Sequence, residues 1–139
     1  PASGVILYAA APAGSNSGYL GNWVGHPLGG GNTIEMLCNV NGTLYAVSFA
    51  HLSQTIYVSA GQSVSQGQTI ALSGNSGNSS GPHTHVEVYN LGSMSVNDAI
   101  ARFRSGADFA WGTGWYGTST SCEAGKAAPC RERPEKFFS

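Results

Sequence analysis

Charge is what this chain has least of. Lys and Arg number six and Asp and Glu seven in 139 residues, 9% in all, against about a quarter in an ordinary globular domain. The net charge of −1 leaves no electrostatic footprint for DNA, RNA or an anionic membrane, so no nucleic-acid partner is expected. Long apolar runs are missing too. None approaches the ~18 residues that cross a bilayer, and no membrane span is expected. No basic stretch followed by an apolar core precedes the first strand-like run, and the chain opens at Pro1-Ala2-Ser3-Gly4. The expectation is that a signal peptide and other upstream residues are missing from it.

Cysteine is scarce, with three residues that divide into one and two. Cys38 lies in the apolar run Ile34-Glu35-Met36-Leu37-Cys38 and reads as a small buried hydrophobe. Cys122 and Cys130 flank a polar loop in a tail with little apolar content. A disulfide there closes a short loop, stabilises by roughly 2–3 kcal/mol in the chain-entropy model, and implies an oxidising compartment. A zinc knuckle is disfavoured, because no His or further Cys is near in sequence.

What the chain has is glycine and small polar residues. Twenty glycines with 41% hydrophobic residues point to many tight turns between short buried strands. One compact domain suits the length. Val5 to Ala9 and Thr33 to Val40 read as strands. Asn41-Gly42 is a type I′ hairpin signal, with Thr43 to His51 as the partner strand. In that partner Leu44, Ala46, Ser48 and Ala50 alternate with Tyr45, Val47 and Phe49, which fits a central strand covered on both faces. Thr55 to Val58 and Thr69 to Leu72 read as two further short strands, and residues 74–81 as a Gly/Ser/Asn loop. His83 to Tyr89 alternates cleanly, with His83, His85, Glu87 and Tyr89 on one face. Ser95 begins a capping pattern for one short helix, Val96 to Arg104.

The expected fold is therefore mainly β, an antiparallel sheet with one short helix and an irregular C-terminal tail. Residues 1–90 form the core. Residues 91–139 are read as a helix and disulfide-stapled tail on the same domain. Two aromatic groups carry no assigned role. Trp111, Trp115 and Tyr116 either pack over the sheet or bind a glycan or peptide, and Tyr19 and Trp23 either anchor the long loop Ala10 to Gly31 or wall a groove.

The chemistry gathers at histidine. His83 and His85, two apart on a strand, project from one face, so one imidazole can hold a metal while its neighbour reaches the metal-bound water. By itself the pair is a weak signal. Around it stand Ala50-His51-Leu52-Ser53, then Gly61-Gln62-Ser63-Val64 with Gly67-Gln68-Thr69-Ile70, then Ser73-Gly74-Asn75-Ser76-Gly77, and finally Gly81-Pro82-His83-Thr84-His85-Val86-Glu87-Val88. In order and spacing these four blocks resemble the lysostaphin-like (LytM-type) zinc endopeptidases, which hydrolyse peptidoglycan. The resemblance runs from about Pro1 to Tyr89. It implies an antiparallel β fold, a single Zn²⁺ with His85 as a ligand, and His83 and His51 as catalytic residues beside the reacting centre. Zinc lowers the pKa of its water towards ~7 and polarises the scissile carbonyl. One neutral imidazole can then take the water proton, while a second serves the oxyanion or the leaving amine.

One family element does not appear. The His-x-x-x-Asp motif that supplies the other two ligands belongs ahead of the strand matched by Val5 to Ala9. His26 cannot replace it as a motif, because position 30 is Gly. Three readings stay open: a processed fragment whose N-terminal segment is removed or is a separate chain, a non-catalytic descendant, and a rearranged site with His26 as substitute ligand. The expected function is a secreted or periplasmic zinc endopeptidase acting on peptidoglycan peptides. The alternative is a non-catalytic module of the same fold that binds cell wall or regulates an amidase.

Overall fold

The computed structural model describes residues 3–11, 31–77, 83–106 and 121–138. Among the described residues seven strands form one sheet: β1 (Gly4–Ala10), β2 (Asn32–Val40), β3 (Thr43–Ile56), β4 (Ser63–Val64), β5 (Ala71–Ser73), β6 (His85–Gly92) and β7 (Cys130–Glu132). Their order is β4-β1-β2-β3-β6-β7, with β5 pairing the far end of β3, and every paired strand is antiparallel. The expected antiparallel class holds.

Local chemistry explains the hairpin at the centre. Asn41 and Gly42 both take positive φ, 52° and 86°, as a type I′ turn requires. The turn also sets the register, placing Val40 opposite Thr43 and Leu37 opposite Ala46. β3 is longer than expected. It runs through Thr55 and Ile56, which the sequence assigns to a separate strand, because β5 pairs with it there, with Ser73 opposite Leu52 and Ala71 opposite Ile56. The segment that follows is built from two matching turns. Ser59 to Gln62 and Ser65 to Gln68 each close with a Gln N–H donating to a Ser carbonyl at 3.1 Å. In each, the Gln side-chain oxygen accepts from the Ser N–H.

Both faces of the sheet are covered, as apolar residues at both odd and even positions of the central strands demand. On one face Ile34, Met36 and Cys38 of β2 meet Val47 of β3 and Val88 of β6, closed over by Val58 and Val64. On the other, Leu37, Leu44, Ala46, Tyr89 and Leu91 pack against Ala99 of helix α1 (Val96–Gly106), with Ile100 and Phe103 beside it. Each fully buried Ile, Leu or Val there contributes about 1.5–3 kcal/mol. Ser95 caps α1 by accepting the Asp98 N–H at 3.1 Å.

The tail has more order than an irregular segment. Cys122 and Cys130 are disulfide-bonded, and Cys38 is buried and takes no part in a disulfide. Cys130 opens β7, which pairs with β6. A second short helix, α2 (Pro134–Phe138), sets Phe137 against Tyr45 with ring centroids 4.9 Å apart.

Candidate active site

α1 covers only part of its face of the sheet. Further along that face the side chains turn polar. Glu35 on β2 pairs with Ser48 on β3, and Ser48 with Glu87 on β6, so strand register alone sets Glu35, Ser48 and Glu87 in a row. All three are buried. Ser48 donates to Glu35 Oε2 at 2.6 Å. Glu87 Oε1 accepts the Tyr89 hydroxyl at 2.8 Å and faces Arg131 Nη2 at 2.8 Å. Burial, with Glu87 and Glu35 near, pushes the Tyr89 hydroxyl pKa up, so it stays a donor.

One step beyond this row stands His85, paired with Ala50. Its Nε2 lies 3.2 Å from Glu87 Oε2. A carboxylate accepts, so this contact puts the ring proton on Nε2 and leaves the lone pair on Nδ1. The hydrogen bond that His85 donates to Glu87 raises the His85 pKa, against the opposing effect of burial.

His51 reaches the same place by a different device. Simple alternation along β3 would put it on the face of Val47 and Phe49, away from His85. Instead Ile34 pairs with Phe49 and Asn32 with Leu52, so Ala50 and His51 together oppose Thr33. This is a β-bulge. His51 takes a left-handed φ of 59°, at a cost of about 1–2 kcal/mol for a residue with a Cβ. The result is a ring centroid 4.9 Å from that of His83 and 6.2 Å from that of His85.

The bulge is held by Ser76. Its hydroxyl donates to the Leu52 carbonyl at 2.6 Å and accepts the Asn32 N–H at 2.9 Å. Its own carbonyl accepts from His51 Nδ1 at 2.7 Å. A carbonyl cannot donate, so Nδ1 carries the proton and Nε2 the lone pair. Burial lowers the His51 pKa first, and the neighbouring His83 and His85 lower it further, against the Ser76 hydrogen bond. Gly31 makes room for this loop: a Cβ there would come within 2.5 Å of Ser76, and its φ is 67°. His83 is set by a backbone bridge to Gly74, its N–H donating to the Gly74 carbonyl at 2.9 Å.

The three histidines singled out by sequence thus converge from the β3 bulge, the Gly74 bridge and β6. His26, Tyr19 and Trp23, and Trp111, Trp115 and Tyr116, lie outside the described residues. Sequence reasoning assigned no role to Glu35, Ser48, Ser76 or Arg131. A signal did exist for Glu35, a charge inside an apolar run, but none for Arg131. Among the described residues no three His, Cys, Asp or Glu side chains form a group that could hold a metal ion. These residues by themselves do not fit a complete zinc site.

Comparison with known proteins gives consistent matches. The family model described as Peptidase family M23 matches residues 1–98. An "Uncharacterized metalloprotease" of Haemophilus influenzae is 42% identical over 74 residues, covering 53% of this chain and 15% of that protein. "Peptidoglycan DD-endopeptidase ShyA" of Vibrio cholerae is 43% identical over 63 residues, covering 45% of this chain and 14% of that one. The chain therefore spans about one seventh of the length of these relatives. Among solved structures, the catalytic domain of lysostaphin from Staphylococcus simulans shares 33% identity over 68% of this chain and 57% of its own, at a TM-score of 0.47. A zinc-containing peptidase from Vibrio cholerae shares 26% identity over 68% of this chain and 25% of its own, at a TM-score of 0.43.

Proposed function

The chain belongs to peptidase family M23, and from that premise we propose that it is a zinc-dependent endopeptidase hydrolysing peptide bonds in the stems or cross-bridges of bacterial peptidoglycan. The observation that carries this reading is the convergence of His51, His83 and His85 on one end of the sheet. The substrate class draws support from the relative named a peptidoglycan DD-endopeptidase.

Roles divide by environment. His51, with its proton on Nδ1 and its pKa lowered by burial, is the general base: Nε2 takes a proton from the attacking water. His83, exposed beside it, hydrogen-bonds the developing oxyanion or returns a proton to the leaving amine. His85, with its lone pair on Nδ1, is the metal ligand of the described residues. The remaining ligands belong outside the described residues, and His26 stands as the lower-ranked candidate within the sequence. Residues 91–139 are taken as part of the same domain, since α1 covers the sheet and β7 extends it. A cell-wall-facing location, secreted or periplasmic, accords with the Cys122–Cys130 disulfide, and no helix among the described residues is long and apolar enough to cross a membrane.

One observation favours a second reading, a non-catalytic module that binds cell wall or activates an amidase: no group that could hold a metal forms among the described residues. Purified peptidoglycan incubated with the full-length protein, with and without added zinc, separates the two. The peptidase reading expects new peptide ends, detected by amine labelling and mass spectrometry, that disappear with chelator. Sedimentation with peptidoglycan and no new ends at any zinc level would overturn it.

A further inference from the structure

The residues matched by the family model end at 98, yet a side chain well beyond them reaches the histidine site. Arg131 lies on β7, whose backbone pairs with Tyr89 of β6 on one side and bridges to Ser121 on the other. The preceding residue, Cys130, is buried and bonded to Cys122. Two constraints, a strand pairing and a covalent staple, therefore fix where Arg131 starts. Its Nη2 ends 2.8 Å from Glu87 Oε1, while the other carboxylate oxygen of Glu87 lies 3.2 Å from His85 Nε2.

We propose that Arg131 is a positioning residue of the histidine site, holding the buried Glu87 carboxylate so that Glu87 fixes the ring and tautomer of His85. A carboxylate with one oxygen occupied by Arg131 and the Tyr89 hydroxyl cannot turn without breaking charge-assisted bonds, which are roughly twice as strong as neutral ones. Its second oxygen is then presented to Nε2 in a single orientation, and the Nδ1 lone pair of His85 is aimed accordingly. Carboxylates in this relation to a ligand histidine set its basicity and direction, and their loss typically costs about 10–100-fold in metal affinity or activity. Here the carboxylate itself needs an orienting partner, and that partner comes from the disulfide-pinned tail.

The activity arm of the test rests on the peptidase reading; the spectroscopic arm does not. The full chain, ¹⁵N-labelled at histidine, is compared with R131M, R131Q and E132Q, the last being a neighbour on the same strand. Ring ¹⁵N shifts report which nitrogen carries the proton. At a pH high enough for the ring to be neutral, wild type and E132Q are expected to show His85 protonated on Nε2 alone. R131M is expected to show a mixture of both tautomers, with R131Q in between because its amide still donates. In the E87Q background R131M should add nothing, since Arg131 acts through Glu87. An unchanged His85 spectrum in R131M or R131Q, once circular dichroism and melting show that variant folded, overturns the proposal. In the full-length protein, kcat is expected to fall about 10-fold or more in R131M, with KM changed little. Altered tautomers with no peptide cleavage by wild type would sink the peptidase reading and leave the positioning role standing.

Discussion

His51 donates its Nδ1–H to the carbonyl of Ser76 at 2.7 Å, and it can do so only because its backbone takes a left-handed turn, φ 59°, in the middle of β3. The bulge and the hydrogen bond form one device. The bulge carries the ring to the face of the sheet that His85 occupies, and the carbonyl turns the Nε2 lone pair outward. Strain in the backbone is thus tied to an imidazole whose pKa burial and its histidine neighbours push down.

Separating that strain from that chemistry gives a first prediction. H51A and H51G should both lose activity in the full-length protein by about 10²–10⁴-fold, the usual cost of a general base. H51G should nevertheless melt higher than H51A, by roughly 4–8 °C for about 1–2 kcal/mol of relieved strain. Equal melting temperatures for the two would remove the claim that His51 is strained.

The three histidines should also differ in what they do for the metal. In the full-length protein, H85A is expected to lose bound zinc, whereas H83A and H51A keep zinc and lose most of their activity. Elemental analysis after dialysis measures the first property and peptidoglycan cleavage the second. Equal zinc loss in all three variants would contradict the division into one ligand and two proton-handling residues.

Gly31 and Gly42 both have positive φ, 67° and 86°, but their surroundings differ. A Cβ on Gly31 would meet Ser76 backbone and hydroxyl atoms within 2.6 Å, while one on Gly42 meets nothing within 4 Å. G42A should cost only its backbone strain, about 1–2 kcal/mol. G31A must in addition displace the Ser76 loop, and a melting shift at least twice that of G42A is expected. A comparable shift would show that Ser76 yields freely.

The cysteines give a prediction in pH. Thiol counting in denaturant without reductant should find one reactive thiol per chain, Cys38. In the native protein that thiol should react slowly at pH 8, because burial pushes its pKa up to about 11. Since the folded pKa lies above the unfolded one, the folded chain holds this proton more tightly. The resulting contribution to stability is present in full below about pH 8.5. It is lost as pH rises through the folded value. C38A should therefore show a flatter alkaline fall in stability than wild type across that window. A slope unchanged by C38A would mean that the thiol titrates alike in both states.

Most of the local elements of the core are legible in the chain alone. Period-2 alternation in Leu44 to Ala50 marked a central strand, Asn41-Gly42 marked its hairpin, Ser95 marked the start of the helix, and Cys122 and Cys130 marked a staple. The four motif blocks also named His51, His83 and His85, because residue identity and spacing are written in the chain. The tertiary structure decided how these pieces meet. Alternation places His51 on the wrong face, and only the pairing of Asn32 with Leu52 on the neighbouring strand reveals the bulge that corrects it. Glu35, Ser48 and Glu87 form a row because three strands stack in register. Arg131 reaches Glu87 because β7 docks on β6, 44 positions along the chain from the residue it holds. Such contacts arise from the register between strands, which depends on the whole sheet and is carried by no local pattern of residues.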